Sequence, residues 1–239
     1  PQVLLTVFIP ILVFVSAWTV HGHLLWRQIW QVLWLAFPAV IISAGLTAAF
    51  VKYALPYRWS WLLCLLLGSI LSLTDPVATV ALLKELGVSE SLSTLVEAVS
   101  LFNDGSAFVL FLMFLGAVEG DELTAGDVPV MFIRASLGGP AIGFVLGLAA
   151  AQALRLIVND ALAEITLTLV MCYSTWLVAE NTPIHVSGVL AVVVMGLTLS
   201  RHGRPFVSPS VQGFMDDFWN LLEFCTNTVI FFVAGIIIV

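Results

Sequence analysis

The sequence predicts an all-α polytopic membrane protein, and its composition carries that prediction. Apolar residues make up 61% of the 239 residues, whereas Asp, Glu, Lys and Arg together make up only 10%. A soluble domain is about 45–50% apolar and about 25% charged. The mean hydropathy of +1.10 agrees with this excess of apolar residues. Because so few charged side chains cannot cover a water-exposed surface of this size, most of the surface must face the lipid bilayer.

About eight apolar segments follow one another along the chain, each near the roughly 20 residues that a bilayer-spanning helix needs. Each is predicted to be a helix, because hydrocarbon offers the backbone no hydrogen-bond partner outside the segment. The third segment is interrupted at Asp75-Pro76, and the fifth is rich in glycine between residues 138 and 147, which favours close helix packing. The predicted segments are 2–20, 30–51, 61–86, 92–118, 128–158, 161–179, 184–199 and one that begins near Val211.

The distribution of charge indicates an orientation and excludes one class of partner. The formal net charge is −7, so the chain lacks the basic surface that nucleic-acid binding requires. Cytoplasmic loops are enriched in Lys and Arg. The connections on one side carry more basic residues than those on the other, and that side is therefore predicted to be cytoplasmic. The residues on the basic side are Arg27, Lys84, Arg155, Arg201 and Arg204, against Lys52 and Arg58 on the other.

Both ends of the chain lie within apolar runs, so we expect a fragment of a longer protein. The three cysteines lie in apolar runs at unrelated spacings. This pattern predicts neither a disulfide framework nor a cysteine metal site.

Two polar stretches interrupt the apolar segments, and the first lies in the third segment. An ionisable side chain deep in a membrane span is costly and therefore indicates function. Pro76 lacks an N–H, so the carbonyl of Ser72 loses its helical partner, while Thr74 and Asp75 add a hydroxyl and a carboxylate. A helix broken at mid-membrane exposes carbonyl oxygens and half-helix ends, which suit a small cation. The alternative is a simple proline kink in which Asp75 caps the second half-helix.

The second polar stretch lies in the fourth segment. At helical spacing Glu97, Ser100 and Asp104 share one face. Asn103 lies beside Asp104, and Gly105 allows another backbone to approach closely. Asp104 is about twelve residues into its helix, near the bilayer midplane, where a carboxylate can exchange a proton for a metal cation. The alternative is a structural role, in which Asp104 only forms a hydrogen bond to a neighbouring helix.

These two stretches resemble the motifs of the monovalent cation:proton antiporters, the sodium/proton exchanger family. Thr74-Asp75-Pro76 and Ser100 to Gly105 are similar to the Asn-Asp electroneutral branch, which includes plant plasma-membrane and sperm-type exchangers. The resemblance extends over nearly the whole chain. It includes Ala179-Glu180 and the stretch from Asn220 to Glu223.

The resemblance implies a thirteen-helix inverted-repeat fold, in which a transport core moves against a dimerisation domain. The eight segments here resemble the third to tenth helices of that fold. Residues 30–118 are expected to form the first core repeat with its broken helix, and residues 128–239 mainly dimerisation or scaffold helices. The second repeat is expected beyond Val239. A homodimer in the plasma membrane, rather than in an organelle, is implied for the complete protein.

By the same resemblance the protein is a secondary transporter and not an enzyme. It is expected to exchange Na⁺, or K⁺, for H⁺ by alternating access, with no cofactor besides the transported ions. The implied residues for binding the cation and the proton are Asp104, Asn103, Asp75, Thr74 and Ser100, with Asp104 and Asp75 as the carboxylates that ligate the monovalent cation. The implied structural or gating residues are Pro76, Glu97, Glu180 and Glu223.

Two positions depart from the family pattern and leave an alternative open. The family usually has Glu at the positions of Val15 and Val99. A degenerate exchanger that acts as a non-transporting sensor or regulatory scaffold is therefore the second hypothesis. A third hypothesis, an intramembrane aspartyl protease, needs two carboxylates that share a proton. Asp75 and Asp104 could supply them, but the Gly-x-Gly-Asp segment usual in such proteases is absent from the sequence.

Overall fold

The computed structural model describes residues 2–56, 59–74, 76–120, 126–157, 159–181 and 186–238. Within these ranges the chain forms nine α-helices, a short 3-10 helix and no β-strand, which confirms the all-α prediction. The helices are α1 (Gln2–Thr19), α2 (Gly22–Ala54), α3 (Trp61–Leu71), α4 (Val77–Glu85), α5 (Glu90–Glu119), α6 (Asp127–Leu154), α7 (Ala161–Asn181), α8 (Gly188–His202) and α9 (Pro209–Ile238), with the 3-10 helix at Arg204–Phe206.

Five of the described helices are long and apolar enough to cross a bilayer, namely α2, α5, α6, α7 and α9. Helix α8 has only 15 residues, about 22 Å at 1.5 Å per residue, which is shorter than the roughly 30 Å hydrocarbon core. Almost every residue of α8 from Gly188 to Ser200 is buried. Other helices therefore surround α8 on most sides and shield it from lipid.

The structure corrects two of the predicted segment boundaries. Helix α2 begins at Gly22, although hydropathy placed the start of the second segment at Trp30. The exposed Arg27 and its neighbours are helical but lie outside the most apolar window, because hydropathy marks the hydrocarbon region rather than the end of the helix. Helix α8 begins at Gly188 instead of Ile184 and continues to His202, while residues 182–185 lie outside the described ranges.

The helices pack in two groups that meet along α8. Helices α2, α3 and α5 contact one another, and α4 contacts α5. Helices α1, α6 and α7 surround α8, and α9 lies against α1 and α7. At the centre of the second group the rings of Phe14 and Trp219 lie 4.3 Å apart, centroid to centroid. Helix α8 also contacts α2 and α5, so it forms the surface on which the first group rests.

The glycines of α6 allow it to lie unusually close to α8. A side-chain carbon at Gly139 or Gly143 would collide with the backbone of α8 at Ser187 or Ala191, and one at Gly147 would meet Thr198. Small residues let the backbones of membrane helices approach closely. The predicted close packing of the glycine-rich segment is therefore confirmed, and its partner is a helix of the same chain.

Candidate functional site

The predicted interruption of the third segment is confirmed by a gap between α3 and α4. Helix α3 ends at Leu71, and the hydroxyl of Ser72 folds back to donate to the carbonyl of Ser69 at 2.7 Å. Helix α4 begins at Val77, with Pro76 in the position before its first residue. The carbonyl of Pro76 accepts from Val80 N at 2.7 Å and so starts the second half-helix.

Asn103 of α5 bridges this break with its side-chain amide. Asn103 Nδ2 donates to the carbonyl oxygen of Ser72 at 3.0 Å and to Thr74 Oγ1 at 2.9 Å. The carbonyl of Ser72 is the group that proline was predicted to leave without a helical partner. Because the side chain is only 6% exposed, water is largely excluded, and the amide satisfies a carbonyl that would otherwise be buried at a cost of about 1–3 kcal/mol.

Ser100 and Thr74 form a chain of hydroxyl hydrogen bonds beside this amide. Ser100 Oγ donates to the carbonyl of Thr74, and Ser100 Oγ lies 3.0 Å from Thr74 Oγ1. A serine hydroxyl has a single proton. Since that proton is used on the carbonyl, the hydroxyl of Thr74 must donate to Ser100 Oγ. Each hydroxyl oxygen then accepts one hydrogen bond and keeps a second lone pair with which it can ligate a cation.

Asp104 lies at the edge of the same network. Asp104 Oδ1 accepts a hydrogen bond of 3.2 Å from the backbone N–H of Thr74, in the gap between the half-helices. The side chain is partly exposed, whereas Asn103 and Ser100 are buried. The structure therefore brings together four of the five predicted binding residues around the break. Asp75 lies outside the described residues, and its part in the site stays a prediction.

The ligands that this arrangement offers are oxygen atoms: a carboxylate, two hydroxyls and backbone carbonyls. Hard cations prefer such ligands, whereas imidazole and thiolate favour transition metals. Among the described residues, no group of three His, Cys, Asp or Glu side chains could hold a metal ion. The chemistry available at the break is thus reversible binding of a small cation, or of a proton, to a single described carboxylate.

Glu97 lies two turns of α5 before Asp104 and pairs with the second half-helix. Its Oε1 is 3.3 Å from Lys84 Nζ, and the side chains of Lys84 and Glu97 are 65% and 24% exposed. The pair links α4 to α5 near the end of α4. The pair therefore connects the half-helix to α5 at a position two turns of α5 away from Asp104.

We expect Lys84→Met to change stability only slightly, because an exposed ion pair contributes about 0–1 kcal/mol. The melting temperature of the complete protein in detergent should fall by less than about 4 °C. Glu97→Gln and the double variant complete a double-mutant cycle, which gives the coupling energy between Lys84 and Glu97. A coupling energy above about 2 kcal/mol would contradict the exposed geometry of this pair.

Two other predicted structural or gating residues, Glu180 and Glu223, are placed away from the break. Glu180 Oε1 accepts from Gly188 N at 3.0 Å, so Glu180 caps the first turn of α8. Glu223 is half-buried on α9. Within the described ranges, helix α9 contacts α1 and α7 but not α5. Pro76 is the only member of this set that lies in the broken segment itself.

One polar cluster was missed by sequence reasoning. From the sequence alone, Glu164 in the first turn of its helix would only complement the helix dipole. Glu164 is fully buried. Its carboxyl oxygens accept from Ser208 N at 3.1 Å and from Ser208 Oγ at 2.6 Å, and Ser208 Oγ accepts from Asn159 N at 2.8 Å. Because Ser208 directly precedes α9, Glu164 holds the start of α9 against α7. Nothing in the local sequence pairs residues 44 positions apart.

The sequence of the whole chain matches one protein family and several known proteins. The family described as "Sodium/hydrogen exchanger, transmembrane" matches residues 1–239. Sodium/hydrogen exchanger 7 of Arabidopsis thaliana is 39% identical over 238 residues, which cover 100% of this chain and 21% of that protein. The Na(+)/H(+) antiporter NhaP of Pseudomonas aeruginosa is 32% identical over 240 residues, covering 98% of this chain and 56% of the relative.

A third relative, the Na(+)/H(+) antiporter ApNhaP of Aphanothece halophytica, is 34% identical over 239 residues, covering 98% of this chain and 44% of the relative. The chain thus spans less than two thirds of the length of each of these proteins. The family match covers every residue, including both halves of the broken helix and the Asn-Asp pair that bridges them. This chain of apolar helices is therefore an integral membrane segment that belongs to the sodium/hydrogen exchanger family.

Proposed function

We propose that this chain supplies the cation-binding part of a secondary transporter that exchanges Na⁺ for H⁺, with K⁺ as the other candidate cation. The observation that carries the proposal is the hydrogen-bond network of the broken helix. In it, Asp104 accepts from Thr74 N in the gap, and Asn103 satisfies the carbonyl that proline leaves open. The names of the relatives, sodium/hydrogen exchanger and Na(+)/H(+) antiporter, support the choice of ions.

In the proposed mechanism Asp104 binds either a cation or a proton, and the two compete. The remaining lone pairs of Thr74 Oγ1 and Ser100 Oγ, together with backbone carbonyls of the break, complete the coordination of the cation. Asp75 is proposed as the second carboxylate of the site. Because one carboxylate exchanges one positive charge for another, each cycle moves no net charge. When a proton binds to Asp104, the cation is released. When a cation binds to Asp104, the proton is released.

Alternating access is proposed to occur between the two helix groups. The group of α2 to α5 carries the broken helix and corresponds to the core repeat expected at residues 30–118. The group that surrounds α8 corresponds to the scaffold expected at 128–239, and we propose that it also forms a homodimer. Helix α8 offers a largely apolar surface to the first group, and such a surface resists sliding less than a network of polar contacts does. Location in the plasma membrane stays part of the proposal.

The test of the function uses the complete protein that contains this chain, reconstituted in liposomes with a pH-sensitive dye inside. An outward Na⁺ gradient should acidify the lumen, and a reversed gradient should make it alkaline. Because the exchange is proposed to be electroneutral, the initial rate should change by less than about twofold when K⁺ and valinomycin impose a membrane potential. A rate that follows the potential would overturn the one-for-one exchange.

A second candidate function is a non-transporting sensor or scaffold, and it is favoured by two apolar positions. Val15 is 1% exposed within an apolar core, and Val99 packs against the core of the first group. Because both residues are valines, neither position offers the carboxylate that the family usually carries there. Saturable Na⁺ binding to the reconstituted protein by calorimetry, together with no proton flux in either direction, would establish the sensor.

A further inference from the structure

The ion pair of Lys84 and Glu97 lies on the same face of α5 as the proposed cation site. Glu97 precedes Asp104 by seven residues, close to two complete turns of an α-helix. Helix α5 runs through both residues and contains no proline, so the two are about 10 Å apart along the helix axis. The charge of Lys84 is at a similar distance from Asp104, because its Nζ lies 3.3 Å from Glu97 Oε1.

The part of α5 between the ion pair and Asp104 is packed against protein rather than exposed to water. Ser100 and Leu101 are both buried, and Ser100 contacts Thr74 in the gap between the half-helices. Glu97 is mostly buried, and Asp104 is partly buried. Salt screens partly buried charges much less than exposed charges. A charge at Glu97 therefore changes the electrostatic potential at Asp104.

The other charged residues on the described parts of α4 and α5 are exposed at helix ends. They are Glu85, Glu90 and Glu119. Glu90 and Glu119 are each more than 20 Å from Asp104 along α5 at 1.5 Å per residue. The Debye length is about 8–10 Å near physiological salt, so charges at that distance are largely screened. The charges of Lys84 and Glu97 are therefore the ones on this face whose removal should alter cation binding.

We propose that Lys84 weakens cation binding at Asp104 by cancelling the electrostatic attraction of Glu97. A cation at Asp104 is attracted by Glu97 and repelled by Lys84, and the two effects nearly cancel while both charges are present. Without Lys84 the uncompensated carboxylate strengthens cation binding, and without Glu97 the uncompensated ammonium weakens it. Lys84 thereby keeps the site weak enough for rapid release of the cation. The inference rests on the proposed function, because it concerns the affinity of the same site.

The test measures the Na⁺ concentration that gives half-maximal proton flux in liposomes containing the complete protein. Alkaline pH limits competition by protons, and choline chloride keeps the ionic strength constant. Lys84→Met should lower this concentration about threefold, and Glu97→Gln should raise it about threefold, as expected for one charge about 10 Å away at an effective dielectric constant of 20 with partial screening. The double variant should return it to the value of the unchanged protein.

Glu90→Gln is the matched control, because it removes the same charge from an exposed position of α5 about twice as far from Asp104. It should leave the half-saturating Na⁺ concentration unchanged. If the pair only oriented α4, both single variants would weaken cation binding. Shifts of the same sign, or no shifts, in a protein that transports would therefore overturn the inference and leave the proposed function intact. No Na⁺-driven flux in the unchanged protein would overturn both.

Discussion

Asp104→Asn should reduce Na⁺-driven proton flux of the complete protein by at least about 100-fold. A cation and a carboxylate about 4 Å apart attract each other by about 4 kcal/mol at an effective dielectric constant of 20. Losing that energy corresponds to roughly a thousandfold in affinity, and the variant also lacks the group that exchanges the proton. The initial rate of lumenal pH change at a limiting Na⁺ concentration is the measurement.

The asparagine variant is well suited to separate transport from folding. Its side-chain oxygen can still accept from Thr74 N, which is 3.2 Å from Asp104 Oδ1, so the broken helix keeps its contact with α5. Asp217→Asn is the matched control, because it makes the same change at an exposed position of α9. The control should transport at the unchanged rate. Undiminished flux in Asp104→Asn would remove Asp104 from the proposed site.

Gly143→Ala should lower the melting temperature of the protein by roughly 2–12 °C. The added methyl group would collide with the carbonyl oxygen of Ala191, a backbone atom of α8 that cannot rotate away. Such overpacking typically costs about 1–3 kcal/mol, and about 1 kcal/mol corresponds to about 2–4 °C for a domain of this size. Thermal unfolding in detergent, followed by the fluorescence of a thiol-reactive dye or by light scattering, measures the shift.

Gly45→Ala provides the opposite expectation within the same protein. An added carbon at Gly45 of α2 meets nothing within 4 Å, and alanine is the better helix former by about 1 kcal/mol. This control should leave the melting temperature unchanged or raise it by a few degrees. If the two substitutions shifted the melting temperature equally, the close contact of α6 with α8 would be wrong.

Much of the broken helix could be predicted from the sequence, because the chemistry of proline is local. Pro76 removes one donor, and the group left without a partner is the carbonyl of Ser72, four residues earlier. The structure confirms the gap between α3 and α4. Helical spacing also placed Ser100 and Asp104 on one face of α5, and both contact Thr74 in the structure. The roles of these residues in transport are proposals.

The partners of the polar groups could not be predicted from local pattern. Asn103 was expected beside Asp104, but its two hydrogen bonds to Ser72 and Thr74 join residues 31 and 29 positions apart. Glu164 was assigned to the dipole of its own helix, whereas it holds Ser208 at the start of α9. In both cases the pattern identified a polar group, and the neighbouring helix determined what that group does.

The sequence by itself therefore determined that the chain lies in lipid, that it is all-helical and where its third segment breaks. Composition shows how much apolar surface must meet lipid, and lipid requires the backbone to satisfy its own hydrogen bonds. Only the tertiary structure decided that α6 packs on α8 through Gly143 and that Asn103 bridges the break. The physical reason is that helical periodicity determines which side chains share a face, whereas the helix that meets that face depends on packing across the whole bundle.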